Sequence, residues 1–198
     1  MKLNEESVSF IDSYVADAAA TQSAILAIKK EIVQSIEALA SVIKNGGKIY
    51  LCGNGGSACE AMHFSEELVA RYLRHRPAIP AQHFCDASTI TCWANDYEFD
   101  TAFQRQVEAF VGEKDALIVL TSSGNSKNII LAIEAAKKRG ALTIGLLGKD
   151  GGAAKNIVDI ALTVPSTKNS HAQEGHLTLV HIICDRLELL LFPDAKAS

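Results

Sequence analysis

The segment KIYLCGNGGSACEAMHFSEELVARY, residues 48–72, contains the pattern that decides the fold. It begins with a short apolar run of strand length, KIYLCG (48–53), which ends in the glycine-rich turn GNGGS. From 57 to 73 apolar and polar residues then alternate with the period of a helix. A strand that passes through such a turn directly into a helix is the building unit of parallel sheets with crossover helices.

Further units of the same kind follow along the chain. Four more apolar runs have strand length: IPAQHF (79–84), ALIVLT (116–121), LTIGLL (142–147) and DIALTV (159–164). Helical patterns follow at 101–112, 126–139 and 172–192. The runs ALIVLT and LTIGLL are apolar throughout, as expected of strands that are covered on both faces. The sequence therefore predicts an α/β fold, a three-layer, doubly wound and mainly parallel five-stranded sheet.

Residues 5–45 predict one or two extra helices ahead of the first strand, and Gly46-Gly47 ends their apolar pattern. A helical segment of this length is more than a small sheet needs for cover. It could simply pack on the sheet, or it could exchange between subunits, which predicts an oligomer with residues 1–45 at its interface. The amphipathic final helix offers a second interface. The whole chain, 1–198, has the length of a single domain.

The composition excludes several classes of protein. A net charge of −4 argues against a broad nucleic-acid footprint. No apolar run approaches the roughly 18 residues that a membrane span needs, and the polar N-terminus MKLNEESVSFIDSY does not resemble a secretory leader. The five cysteines are an odd number without a CxxC pair, which predicts free thiols in a reducing cytoplasm.

Two polar turns follow two of the predicted strands, GNGGS at 53–57 and TSSGNS at 121–126. Ligands of doubly wound sheets bind at the carboxyl ends of strands, where glycines and helix N-termini accommodate anions. Five hydroxyls add uncharged donors: Ser57, Thr121, Ser122, Ser123 and Ser126. Neither turn has the Walker lysine or the GxGxxG spacing. The serines and asparagines could merely cap the helices, but two such turns favour a site for a small phosphate ester.

His63 and Glu67 lie four residues apart on the helix that starts at the first turn, and therefore share one face. An imidazole and a carboxylate at this spacing can hold a divalent ion, although solvated pairs of this kind are common on helices. The pair would lie roughly 9–15 Å from the turn along the helix axis. This distance is about the length of a sugar phosphate whose anion is held at the turn.

A second polar cluster, HAQEGHLTLVH at 171–181, begins the final helix. Capping explains some of its members, but His181 lies inside the apolar run LVHIIC and is either a core histidine or a functional one. Gln173 and His181 are eight residues apart, about 12 Å along a helix. They could meet at one ion only by leaning towards each other or by coming from different subunits, and the sequence leaves both possibilities open.

Together these motifs resemble the sugar isomerase (SIS) domain proteins, in particular the bacterial phosphoheptose isomerases. The resemblance covers nearly the whole chain, through GGKIYLCGNGGSACEAMHFSEEL, WANDYEF, TSSGNS, LLGKDGG and QEGH. It implies a flavodoxin-like SIS fold, a homotetramer with active sites between subunits, and one zinc ion per site. It also implies the conversion of sedoheptulose 7-phosphate to D-glycero-D-manno-heptose 7-phosphate through an enediol, the first step of ADP-heptose synthesis for lipopolysaccharide.

The resemblance also implies a role for individual residues. The phosphate-binding positions are Ser57 and the turn from Thr121 to Ser126. The other substrate contacts are Asn54, Gly55, Gly56, Glu67, Asn95, Asp96 and Gln173. The zinc ligands are His63, Glu67, Gln173 and His181, and the acid–base pair is Glu67 with His181. Some relatives have an aspartate where this chain has Ser170, so the resemblance does not extend to the contacts with the distal hydroxyls of the sugar.

Two other functions compete with this one. A non-catalytic SIS protein that binds the bacterial replication initiator has a similar tail to LFPD (191–194), but lacks the glutamate and histidine that correspond to Glu67 and His181. The second is an isomerase for another phosphosugar.

Overall fold

A computed structural model describes residues 4–196 of the chain. Within that range one sheet contains five strands: β1 (Ile49–Gly53), β2 (Ala81–His83), β3 (Ala116–Thr121), β4 (Leu142–Gly148) and β5 (Ile160–Val164). Their order is β2-β1-β3-β4-β5, and each neighbouring pair is parallel. The predicted doubly wound α/β fold is confirmed, and this sheet is parallel throughout.

The strand order places a binding crevice between β1 and β3. From β1 the chain moves outward to β2 and then returns to the other side of β1 to form β3. Connections therefore leave β1 and β3 in opposite directions, and the crevice at their carboxyl ends is where ligands of such sheets bind. Both polar turns predicted from the sequence lie at this point.

Helices cover both faces of the sheet. The α-helices in residues 4–196 are α1 (Glu5–Ala24), α2 (Lys29–Lys44), α3 (Gly56–Val69), α4 (Ala87–Asp96), α5 (Ala102–Phe110), α6 (Lys127–Lys138) and α7 (Asn169–Leu191). Helices α2, α3 and α7 pack into one apolar core, and α5 and α6 pack into another on the opposite face. A short 3-10 helix, Ile25–Ile28, joins α1 to α2.

Helix α4 was not predicted from the sequence. None of its residues is fully buried, and its apolar row is short: Ile90, Trp93 and Ala94 are half-buried, and Ile90 packs against the core beneath α5 and α6. One local signal was available, because Asp86 caps the helix by accepting a hydrogen bond from the Thr89 amide.

Helix α1 contributes little to the core. It packs against α7, and Thr21 is its one buried residue. Phe10, Ile11 and Val15 are each about 60% exposed, so much of the apolar surface of α1 faces outward. The sequence predicts one or two helices in this segment, and the structure has two, of which α1 does not cover the sheet.

No helix within residues 4–196 combines the length and the apolar character needed to cross a bilayer. The cysteines Cys52, Cys59, Cys85, Cys92 and Cys184 are all free thiols.

A buried ion pair between Arg76 and Glu188 joins the segment after α3 to the end of α7. Arg76 Nε lies 3.0 Å from Glu188 Oε1, and the two side chains are 0% and 1% exposed. The carboxylate also accepts hydrogen bonds from the backbone amides of Tyr72, Leu73 and Arg74. Burial alone would raise the pKa of Glu188, but the amides and Arg76 outweigh it, and the net pKa lies below the ordinary value of 4.5.

We expect Glu188→Gln to lower the free energy of unfolding by about 3 kcal/mol near neutral pH, because it breaks a buried pair. Since the folded-state pKa of Glu188 lies below its unfolded-state value, the stabilisation is complete above about pH 5 and is lost as the pH falls through the folded-state pKa. The difference between wild type and variant should therefore shrink as the pH falls below about 5. Urea unfolding followed by circular dichroism measures it, and a difference independent of pH would contradict the prediction.

Candidate active site

The two polar turns lie side by side, because they follow the neighbouring strands β1 and β3. The N-cap residues of the helices that follow are Gly55 for α3 and Ser126 for α6, and within the described chain neither helix receives a side-chain cap. The alternative that serine and asparagine merely cap these helices is therefore not realised. Both helix N-termini keep the backbone donors that an anion site requires.

The second turn takes its shape from the loop after β4. Gly124 adopts φ +65°, and its carbonyl accepts a hydrogen bond of 2.9 Å from the Ala154 amide. A Cβ at Gly124 would overlap the Gly151 carbonyl oxygen. The Thr121 hydroxyl accepts from the Gly124 amide at 3.1 Å. The turn 121–126 and the loop 149–152 therefore form one interlocked structure.

A pair of amide side chains joins the two turns. Asn54 and Asn128 exchange two hydrogen bonds, each of 2.9 Å, and Asn128 is 2% exposed. The side chain of Asn54, a substrate contact according to the resemblance, is thus engaged in holding the turns together. The sequence did not identify Asn128, because no local pattern indicates a partner 74 residues away.

We expect Asn128→Ala to weaken the binding of phosphate esters by about tenfold. The substitution leaves the Asn54 amide without partners, and an unpaired amide of this kind costs about 1–3 kcal/mol. Isothermal titration with a sugar phosphate measures the effect. Asn45→Ala, at an exposed helix end far from the turns, is the matched control. An unchanged affinity in Asn128→Ala would show that the amide pair does not shape the anion site.

Three of the predicted metal ligands converge within one chain. The ligand atoms of His63, Glu67 and His181 all lie within 4.8 Å of one another. His63 Nε2 is 3.3 Å from His181 Nε2 and 3.4 Å from Glu67 Oε1. Ligands of a tetrahedral zinc ion are about 3.3 Å apart when each bond is about 2.05 Å long. Two imidazoles and a carboxylate at these separations fit the donor set of zinc.

The surroundings shift both acid–base candidates. Burial and then the neighbouring Glu66 raise the pKa of Glu67, and burial and then His63 lower the pKa of His181. Both pKa values are therefore perturbed by the surroundings, as at many functional sites. The Tyr72 ring stacks on the His181 ring, with an interplanar angle of 14° and centroids 5.6 Å apart.

Helices α3 and α7 run side by side in the same direction, and this arrangement places Gln173. Gln173 packs against Gly56, and eight residues later His181 meets His63. A Cβ at Gly56 would overlap the Gln173 amide nitrogen, so the glycine makes room for the amide. Seven residues, about 10 Å of helix, separate Gly56 from His63. Within one chain Gln173 therefore lies beside the first polar turn and is not brought together with the other three predicted ligands.

The other histidines of α7 belong to the protein interior. His171 and His176 are 1% and 0% exposed, whereas His181 is only half-buried. His176 faces Glu60 of α3 at 3.7 Å, and His171 contacts Glu174 at 3.0 Å. The alternative of a core histidine thus applies to these two and not to His181.

Asn95 and Asp96 lie at the exposed C-terminal end of α4. Asn95 donates a hydrogen bond of 2.8 Å to the Asp96 carboxylate. The remaining predicted phosphate contacts surround the crevice: Ser57 and Thr121 are buried, and Ser122, Ser123 and Ser126 are half-buried.

Comparisons with known proteins show which family the chain resembles. The SIS domain family model matches residues 13–148. The phosphoheptose isomerase of Geobacter sulfurreducens is 44% identical over 92% of this chain and 100% of its own length. Its counterpart in Fusobacterium nucleatum is 44% identical over 84% of this chain and 86% of its own.

Solved structures are similar in the same way. The phosphoheptose isomerase of Francisella tularensis superposes with a TM-score of 0.88 at 38% identity, and that of Neisseria gonorrhoeae with 0.86 at 33%. Each covers 91% of this chain and 97% of the solved chain.

Proposed function

The chain belongs to the SIS domain family, as its motifs predicted, and on that premise we propose that it is a phosphoheptose isomerase that interconverts sedoheptulose 7-phosphate and D-glycero-D-manno-heptose 7-phosphate. One observation supports this most directly. His63 and Glu67 lie on α3, the helix that begins at the first polar turn, and His181 of α7 meets them there. A substrate held by its phosphate at that turn would extend along α3 towards the three side chains.

The proposed reaction needs two linked proton transfers. Glu67 removes a proton from C1 of the ketose, which forms the enediol, and returns a proton to C2. His181 moves the hydroxyl proton from O1 to O2. The raised pKa of Glu67 makes its carboxylate a stronger base, and the lowered pKa of His181 favours the neutral imidazole, which can accept one proton and donate another.

Zinc held by His63, Glu67 and His181 would polarise the substrate carbonyl as a Lewis acid. The residues present fit such an ion, as the ligand separations above indicate. Gln173 completes the ligand set proposed from the family only if its amide turns away from Gly56 or comes from a second subunit.

The phosphate end of the site contributes binding and orientation. Ser57 and the hydroxyls of the turn 121–126 would hold the phosphate, and the helix N-termini would stabilise its charge. Binding energy from this remote group fixes the reacting carbons against Glu67. Asn54, Gly55, Gly56, Asn95 and Asp96 remain proposed contacts to the rest of the substrate.

The assembly we propose is a homotetramer with its N-terminal segment, 1–45, at the interface. Its support is the exposed apolar surface of α1 and an apolar groove of about 390 Å³ between α2 and α7. Such an assembly could bring Gln173 and the exposed end of α4 to a neighbouring site. A cytoplasmic location and a role at the start of ADP-heptose synthesis complete the proposal, the former in keeping with the free thiols.

Incubation with sedoheptulose 7-phosphate, followed by NMR for the aldose product, tests the proposed function. We expect conversion of this substrate in preference to five- and six-carbon ketose phosphates, together with stoichiometric zinc in the purified protein. Conversion of a shorter ketose phosphate alone would favour an isomerase for another sugar. A protein that binds these esters but converts none of them would be a non-catalytic SIS protein.

A further inference from the structure

The last turn of α3, which includes Glu67, is held from outside the helix by Arg76. Arg76 Nη2 donates a hydrogen bond of 2.7 Å to the Glu67 carbonyl oxygen, and Nη1 donates one of 2.7 Å to the Leu68 carbonyl oxygen. The carbonyls at the end of a helix have no partners within it. The guanidinium therefore fixes the main chain at the residue proposed as the catalytic base.

Glu188, the ion-pair partner of Arg76, is linked to His181. Glu188 follows His181 by seven residues, two turns of α7, so both lie on one face of that helix. The Glu188 carboxylate accepts from the Tyr72 amide at 2.9 Å, and the Tyr72 ring stacks on His181. The same carboxylate thus holds the residue that packs against the imidazole.

The Arg76–Glu188 ion pair is better explained by a role in fixing the geometry of nearby residues than by a role in stability alone. A buried ion pair contributes little to stability compared with apolar side chains of the same size, because both charges lose their hydration. Here each charge has several hydrogen-bond partners, on Glu67, Leu68 and Pro77 for Arg76 and on three backbone amides for Glu188. Fully satisfied polar networks of this kind specify one geometry.

We propose that Arg76 and Glu188 are positioning residues of the active site, which together hold Glu67 and His181 at the separation that proton transfer and metal binding require. Arg76 acts through the main chain of Glu67, and Glu188 acts through Tyr72 on His181. This inference rests on the proposed function.

A neighbouring ion pair offers a matched control. Arg74 Nη1 lies 2.7 Å from Asp185 Oδ1 and 3.4 Å from Glu188 Oε2, and the Asp185 side chain is 33% exposed. This pair joins the same two segments, but the Glu67 carbonyl is bonded to Arg76 and the Tyr72 amide to Glu188, so neither depends on Asp185. Asp185→Asn therefore removes an ion pair between these segments without disturbing the contacts to the Glu67 carbonyl or to Tyr72.

The test compares Arg76→Lys, Glu188→Gln and Asp185→Asn with wild type, on folded protein well below each melting temperature. Three quantities are measured: kcat and KM with sedoheptulose 7-phosphate, and zinc affinity by competition with a chromophoric chelator.

For Arg76→Lys and Glu188→Gln we expect kcat and zinc affinity each to fall about 10–100-fold, as for other groups that orient metal ligands. KM should change less than about threefold, because the turn proposed to bind the phosphate lies about 16 Å from Glu67 along α3. All three quantities should stay within about twofold of wild type in Asp185→Asn.

A merely structural role would give another result. The two variants would then melt at lower temperature, while kcat and zinc affinity per folded molecule matched wild type, and this would overturn the proposal. If Glu188→Gln does not fold, Arg76→Lys still tests it, because lysine keeps the charge but cannot span both carbonyls. Zinc affinity is measured without turnover, so failure of the proposed function would appear separately, as a wild-type protein that binds zinc and leaves the heptose phosphate unchanged.

Discussion

Glu67→Gln should lower kcat by about 10³–10⁴-fold while sugar-phosphate binding stays measurable. The amide has nearly the size of the carboxylate but cannot accept a proton from carbon, and a positioned base contributes up to about 10⁴-fold. The substitution leaves both turns proposed to bind the phosphate unchanged, so sugar-phosphate affinity measured by isothermal titration should stay within about tenfold of wild type. Turnover of sedoheptulose 7-phosphate followed by NMR gives the loss in kcat.

Two comparisons separate the roles of Glu67. Glu66→Gln makes the same change of charge one residue away, on a side chain that is 60% exposed, and should cost less than about tenfold in kcat. Zinc content distinguishes base from ligand: if added zinc restored turnover to Glu67→Gln, then Glu67 would act chiefly as a ligand. Near-normal activity without added zinc would remove Glu67 from the role of base altogether.

Gly124→Ala should produce the opposite defect, loss of binding. Gly124 adopts φ +65°, where a side chain costs about 1–2 kcal/mol. The new Cβ would also overlap the Gly151 carbonyl oxygen, which is rigid backbone. Either the turn 121–126 or the loop 149–152 must move. We expect sugar-phosphate affinity, measured by isothermal titration, to fall at least about 100-fold, with a loss of stability above that of the backbone conformation alone.

Gly140→Ala separates these two contributions. Gly140 has φ +78° at the end of α6, but a Cβ at this residue would lie 3.4 Å from its nearest neighbour, an atom in the side chain of Glu113. It should therefore lose about 1 kcal/mol of stability and bind sugar phosphate as wild type does. Wild-type affinity in Gly124→Ala would show that the second turn does not form the anion site.

The local elements followed closely from the sequence. Strand β3 has the predicted bounds, 116–121, because a strand buried on both faces consists of a continuous apolar run. Helix α4 was missed, since its apolar row is short and none of its residues is fully buried. His63 and Glu67 could be paired from their spacing on one helix, whereas His181 could be added only through the resemblance to a family.

Periodicity and turn chemistry act between residues close in the chain. They were enough to determine from sequence the parallel sheet, the two polar turns and the shared face of His63 and Glu67. The tertiary structure alone decided which distant residues meet. Because α3 and α7 run parallel, His181 contacts His63 and Gln173 packs against Gly56. The segment after α3 turns back towards α7, so Arg76 forms an ion pair with Glu188. Such pairings depend on the order of the strands and the packing of helices on the sheet, and no local pattern of residues encodes them.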